Sequence, residues 1–227
     1  MKFEDYYIAL REKEGRILSN KEISSLPNLP KNHPLFNEWE IRKKTLNRLS
    51  TYLKRDKKAV EIGCGNGWFS NWLLQFYDNV IGVDVNRYEL NQASLIFTDS
   101  HLTFKYVDDV MSYFERERPN AVFFNASLQY FNPQERILDK LLKVLPKGCE
   151  IHILDTPVYI KPKHTIAAKE RSDAYYANQG FSEMSDYYFH YALQDFPKIQ
   201  WMYAPKKGIQ KIFAKDQSPF PWGIILV

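Results

Sequence analysis

The sequence predicts an α/β fold: a doubly wound, mostly parallel sheet with an antiparallel strand at its C-terminal edge and a helical cap. Three observations carry this. Short apolar runs alternate with segments of helical periodicity between Lys58 and Asp155. The runs are continuously apolar, as in a parallel sheet covered on both faces. The first junction between a run and a helix holds a glycine cluster, Gly63-Cys64-Gly65-Asn66-Gly67.

Residues 3 to 18 read as a helix, and the prolines of SSLPNLPKNHP block its continuation. A long helix begins near Pro34, with Leu35, Trp39, Leu46, Leu49 and Leu53 as its apolar stripe. AVEI, residues 59 to 62, is the first strand. Phe69, Trp72, Leu73 and Phe76 mark the buried face of the next helix. VIGVDV (Val80 to Val85) is the second strand, followed by a helix over 87–97 and a strand over 102–107. AVFF (Ala121 to Phe124) is the fourth strand.

Asn132, Pro133 and Glu135 read as the N-cap, first-turn proline and capping-box acid of a helix. Its stripe is Leu138, Leu141, Leu142 and Leu145, and EIHILD after Gly148 is the fifth strand. Residues 160–197 read as helical and aromatic. Ile199 to Tyr203 and Trp222 to Val227 complete the sheet as an edge hairpin. The expected organisation is a helical cap segment over 1–55 and a ligand-binding domain over 56–227. Within that domain, 160–197 is an insertion that covers the substrate.

Composition narrows the function classes. The chain has 31 basic and 27 acidic residues, a net charge of +4 with the basic residues scattered. A nucleic-acid groove needs several phosphate-neutralising groups on one face, so nucleic-acid binding is disfavoured and a small-molecule partner favoured. Cys64 and Cys149 lack the number and histidine spacing of a zinc site, so no metal is expected. So few cysteines fit a reducing cytoplasm. The N-terminal residues carry no signal-peptide pattern, and no stretch approaches the roughly 20 apolar residues of a membrane span. Oligomeric state has no signature in the sequence.

The glycine cluster carries the chemistry. Glycine lets a backbone turn sharply and approach a ligand closely. Ligands of open α/β sheets bind beyond the carboxyl ends of the strands. Asp84 ends the second strand, where a carboxylate can accept bonds from both hydroxyls of a ribose. A dinucleotide fingerprint, G-x-G-x-x-G, needs a third glycine for close packing beside a pyrophosphate. Counting from Gly63, that place is Trp68, so a nicotinamide cofactor is the weaker fit.

The string VEIGCGNGWFS resembles the first motif of class I S-adenosylmethionine-dependent methyltransferases, which have a Rossmann-like fold. The resemblance implies S-adenosyl-L-methionine as cofactor and methyl transfer to an oxygen or nitrogen of a small molecule. It implies that Glu61 lies near the methionine end and that Gly63, Cys64, Gly65, Asn66 and Gly67 form the surrounding loop. Asp84, with Val85 and Asn86, matches the family's ribose position. Asp109 matches the acid facing the adenine amino group, with Asp108 as the competing alignment. Asn125 and Ala126 open NASLQY, which stands in the place of the family's fourth motif beside the methyl group.

That place lacks the N-P-P-Y or D-P-P-Y of enzymes that methylate base amino groups, so such an acceptor is disfavoured. His190 and Asp155 are the candidate general bases for a hydroxyl acceptor. The tyrosines near the C-terminus read equally as core or as substrate cage. Three other readings remain on the sequence alone: aminopropyl transfer, a module that binds the cofactor without chemistry, and a nicotinamide-dependent oxidoreductase.

Overall fold

The structure is a computed structural model that describes residues 3–205 and 218–227. The stretch of the expected domain over 206–217 lies outside the described residues.

Five parallel strands are built in the expected order: β1 (Asp56–Ile62), β2 (Tyr77–Asp84), β3 (Leu102–Tyr106), β4 (Ala121–Asn125) and β5 (Glu150–Leu154). A two-stranded ladder of β6 (Val158–Tyr159) and β7 (Tyr191–Ala192) lies apart from them. The C-terminal pair, β8 (Gln200–Tyr203) and β9 (Trp222–Leu226), is antiparallel, and β9 runs antiparallel to β5. The sheet order is β3-β2-β1-β4-β5-β9-β8. The chain therefore reverses its winding between β1 and β4, which opens a crevice at their carboxyl ends.

Period-two alternation distributes the strands between two cores. Val60, Ile62, Val122, Phe124, Ile151 and Ile153 face one side. They meet Phe114 of α6 (Val110–Phe114) and Leu138 and Leu141 of α7 (Ile137–Val144). Ala59, Phe123 and Ile224 face the other side. There they meet Phe69 and Leu73 of α4 (Trp68–Leu73) and Leu46 and Leu49 of α3 (Phe36–Tyr52). Both faces are thus dry, which is why these strands read as unbroken apolar runs.

The expected cap over 1–55 divides. The second half of α3 belongs to the layer under the sheet. Only α1 (Phe3–Lys13) and α2 (Asn20–Ser25) lie outside it. The single helix expected over 3–18 stops at Lys13, because Gly15 adopts φ 65° and lets Arg16 N–H close back onto the Arg11 carbonyl at 2.8 Å. Ser19 and Glu22 then form a capping box that starts α2.

Two other elements differ from expectation. Asn132 caps only a 3₁₀ turn, Pro133–Glu135, and Arg136 at φ 52° separates that turn from α7. The 160–197 stretch is helical over α8 (Pro162–Gln179), then makes a 3₁₀ turn and returns through β7. The remaining helix, α5 (Arg87–Ile96), follows β2 as the periodicity predicts.

Strand β5 hides a polar network. His152 is fully buried and stacks on Phe123 at 4.5 Å. Trp222 Nε1–H donates to His152 Nδ1 at 3.3 Å, so Nε2 carries the proton and donates to Glu150 at 3.0 Å. Tyr52 O–H donates to the same carboxylate at 2.7 Å, which fastens α3 to the sheet. Burial holds this imidazole below its ordinary pKa, although Glu150 pulls the other way.

Candidate active site

The loop after β1 is shaped by its neighbours. Gly63 has φ 72°, and a Cβ there would fall 2.5 Å from Ser127 Cβ. Only glycine lets β1 end so close to the loop that leaves β4. Gly63 N–H donates to the Val83 carbonyl at 2.8 Å, and Gly65 N–H to Asp84 Oδ2 at 2.8 Å. The other oxygen of Asp84 accepts Asn86 N–H at 2.8 Å. Asp84 therefore ties the glycine loop to the start of α5. Burial pushes its carboxyl above the ordinary range, while N–H groups of Asn86, Gly65 and Val85 pull it down.

This loop and the ends of β2 and β3 enclose a first cavity of about 390 Å³. Gly63, Gly65, Asp84, Val85, Asn86 and Asp108 all line it, with Ala126 at one end. Val107, Val110 and Phe131 make an apolar slot beside Asp108. Each carboxylate oxygen of Asp84 has a second lone pair for a ligand hydroxyl. Asn86 is also an N-cap, accepting Glu89 N–H at 3.2 Å.

Two residues expected at the cofactor have structural roles of their own. Asp109 does not line the cavity. It caps α6, accepting the N–H groups of Met111 and Ser112 at 3.0 and 3.1 Å and the Ser112 hydroxyl at 2.6 Å. The competing residue, Asp108, holds the place by the apolar slot. Gly67 is likewise a packing glycine: at φ 78°, a Cβ would meet Phe104 at 2.5 Å and Ala93 at 2.8 Å.

A second cavity of about 630 Å³ opens beyond β1, β4 and β5. Glu61, Cys64, Asn66, Asn125 and Asp155 line it, and Gly63, Gly65 and Ala126 are shared with the first cavity. Glu61 is buried, accepts the Ser70 hydroxyl at 2.5 Å, and is pushed up to about 8 by burial. Cys64 is buried too, and burial beside Asp84 and Glu61 raises its thiol well above the ordinary value, which leaves no thiolate. Ala126 (φ 53°) and Asp155 (φ 47°) follow β4 and β5 directly. Non-glycine residues adopt that conformation at a cost and favour functional sites.

The two candidate bases are not brought together. Asp155 faces the second cavity, where its carboxylate accepts the Thr45 hydroxyl at 2.7 Å and sits 3.7 Å from Arg42. Those partners make it an anchor for α3. His190 lines a third cavity of about 340 Å³, and its Nε2 pairs with Ser172 at 3.1 Å.

Sequence reasoning missed Tyr7, Arg11, Glu89 and Tyr130. Tyr7 lines all three cavities, and Arg11 lines the second and third. The Arg11 guanidinium lies 4.9 Å from the Tyr7 ring and 3.4 Å from the Tyr130 hydroxyl. Glu89 lines the first two cavities and is pushed up to about 8, by burial first and then by Asp84. One signal was present: Glu4, Tyr7 and Arg11 form a polar stripe at helical spacing on α1, which Glu14 continues just past its end.

Trp68 occupies the place a dinucleotide site keeps for glycine, and its indole packs edge-on against Trp39 at 4.9 Å. The strand order and the antiparallel edge pair are those of the Rossmann-like methyltransferase fold. A methyltransferase-domain family profile matches residues 33–201, well over half of the chain, and the chain belongs to that family.

Solved structures agree on the fold. An S-adenosylmethionine-dependent methyltransferase from Anabaena variabilis superposes with a TM-score of 0.57 at 13% identity, covering 100% of this chain and 95% of that one. The YcgJ protein of Bacillus subtilis gives 0.55 at 11% identity, over 72% and 70% of the two chains. A curated relative, malonyl-[acyl-carrier protein] O-methyltransferase 1 of Ilyobacter polytropus, is 27% identical over 120 residues. That match spans 51% of this chain and only 45% of the relative. Among the described residues, no helix is long and apolar enough to cross a membrane.

Proposed function

We propose that the chain transfers a methyl group from S-adenosylmethionine to an oxygen or nitrogen of a small-molecule acceptor. The observation that carries this reading is the tie between Gly65 N–H and Asp84, which sets the glycine loop and the ribose acid on one 390 Å³ cavity. S-adenosylmethionine, when bound, supplies an already activated methyl group on a positively charged sulfur.

The residues then have distinct tasks. Asp84 accepts the ribose hydroxyls, and Asp108 with the apolar slot receives the adenine. The Gly63–Gly65 backbone passes the chain of the amino acid toward Asn125 and Ala126. Glu61 takes its ammonium group, which would draw the Glu61 proton off. Gly67 and Asp109 support this arrangement from behind. The protein's remaining work is to align acceptor and methyl carbon and to exclude water, for which α1, α2 and the 160–197 segment serve as the cover. His190 binds rather than abstracts a proton in this reading, and Asp155 positions α3.

The curated relative's name specifies an oxygen acceptor, which favours oxygen here. Cys64 and Cys149 are free and buried, which suits a reducing cytoplasm. Calorimetry tests the cofactor: S-adenosylhomocysteine should bind with micromolar-range affinity and NAD not at all. Tight NAD binding without a response to S-adenosylhomocysteine would overturn the reading.

A further inference from the structure

The third cavity has no task in cofactor binding, yet it is not ordinary core. It lies between α1, α8 and the β6–β7 ladder. Tyr159, Tyr175, Tyr176 and Tyr188 give it aromatic walls. Its charged lining is one-sided, with the guanidinium groups of Arg11, Arg16 and Arg171 against one carboxylate, Glu14. Glu14 is already engaged by Arg11 at 3.0 Å, by Arg16 at 3.4 Å and by the Tyr175 hydroxyl. Arg171 has no ion-pair partner among the described residues. His190 leaves its Nδ1 buried and without a hydrogen-bond partner among the described residues. A buried ring nitrogen without a partner is costly unless a ligand completes it, and the exposed guanidinium of Arg171, whose charge acts on that ring, is open to an anion.

We infer that this cavity is the acceptor chamber and that it takes a small aromatic molecule bearing an oxyanion, a carboxylate or a phosphate, gripped by Arg171 and His190. This deepens the methyltransferase reading and rests on it. Arg171 and His190 line only the third cavity, whereas Tyr7 and Tyr130 line both the third and the first. A molecule held by its anion at the Arg171 end therefore turns its other end toward Tyr7 and Tyr130, where the cofactor cavity begins. The anion is a handle, not the methylated group.

The volume, about 340 Å³, is near the lower end for ligand sites, which suits a single substituted ring. Phenol walls favour a flat body through edge and face contacts. The charges around His190 agree with an anion. Burial first, and then Arg171 and Lys169, hold the imidazole below its ordinary pKa, and Asp173 opposes them. Its other neighbours, Tyr159 and Tyr188, meet it edge-on at 5.8 and 5.3 Å.

The test uses the full chain saturated with S-adenosylhomocysteine, titrated with benzoate, phenyl phosphate and their neutral counterpart benzamide. At least one anion should bind tenfold or more tightly than benzamide. Whichever anion binds more tightly identifies the handle as carboxylate or phosphate. Arg171→Gln, at an exposed position, should weaken the preferred anion at least fivefold, and His190→Gln should do the same. Neither change should alter S-adenosylhomocysteine affinity. Benzamide binding as well as both anions, no binding of either anion, or full anion affinity in both variants would overturn the assignment. Failure of S-adenosylhomocysteine to bind at all would instead remove the methyltransferase reading beneath it.

Discussion

Replacing Asp84 by alanine separates two roles that one carboxylate combines. In the free protein Asp84 accepts Gly65 N–H and Asn86 N–H, each at 2.8 Å. A hydrogen bond to a charged acceptor contributes about 1.5–3 kcal/mol. The same carboxylate is buried and has a raised pKa, so its desolvation offsets part of that gain. A net loss of about 2–3 kcal/mol is expected in Asp84→Ala. In a chain of this size that lowers Tm by roughly 4–12 °C. The ribose then loses its acceptor as well, and a factor of about ten in affinity accompanies each 1.4 kcal/mol. S-adenosylhomocysteine affinity should fall between about tenfold and several hundredfold. Asp84→Asn keeps one acceptor oxygen and should fall in between on both measures. Thermal melts and calorimetry on the same samples give the two numbers. A folded Asp84→Ala protein with unchanged affinity would refute the ribose assignment, whatever happened to its Tm.

Two further outcomes follow from the same geometry. Glu61 has a pKa of about 8 in the fold against an ordinary 4.5, so ionisation favours the unfolded chain. Its contribution works against folding as pH rises from 4.5 to about 8, and Glu89 acts in the same window. Glu61→Gln should therefore be more stable than the parent near pH 8.5, should lose that advantage near pH 5, and should bind S-adenosylhomocysteine at least tenfold more weakly. Urea midpoints at the two pH values check the sign, and a variant equally destabilised at both would contradict it. Gly63→Ala should cost clearly more stability than Gly148→Ala. Both residues have left-handed φ, but a Cβ at Gly63 meets Ser127 at 2.5 Å while nothing lies within 4 Å at Gly148. Equal midpoints in the two variants would show that the loop after β4 can move aside.

Much of the fold was legible because its signals are local. A buried parallel strand announces itself by an apolar run, and β4, buried at all five residues, is the clearest case. Gly63 and Asp84 were legible for the same reason, since a turn that admits no Cβ and a carboxylate ending a strand are both short-range patterns. Asp108 and Asp109 could not be told apart because a cap and an adenine contact require the same residue type at the same place. The sequence cannot show which of two adjacent acids turns inward. The packing constraint on Gly67 was hidden because it comes from Phe104 and Ala93, far along the chain. The break at Arg136 was hidden because a left-handed arginine leaves no compositional mark.

The third cavity was illegible for a different reason. The first cavity is built by successive strand ends of one sheet, so its residues recur at the period of the fold. The third cavity is built by segments that meet only in space: Arg11 comes from α1, Arg171 from α8, and His190 from the approach to β7. None of these is distinctive where it stands in the sequence. Tyr7 makes the point most sharply. It is one of 15 tyrosines in the chain, on a helix that reads as ordinary, yet it lines all three cavities. A residue in that position is a wall shared by the cavities. Whatever holds α1 down, through Leu10 against Tyr176 and Met184, also sets that wall. If the third cavity is the acceptor chamber, specificity depends on how α1 docks on the segment after β5, a contact between distant parts of the chain rather than a motif.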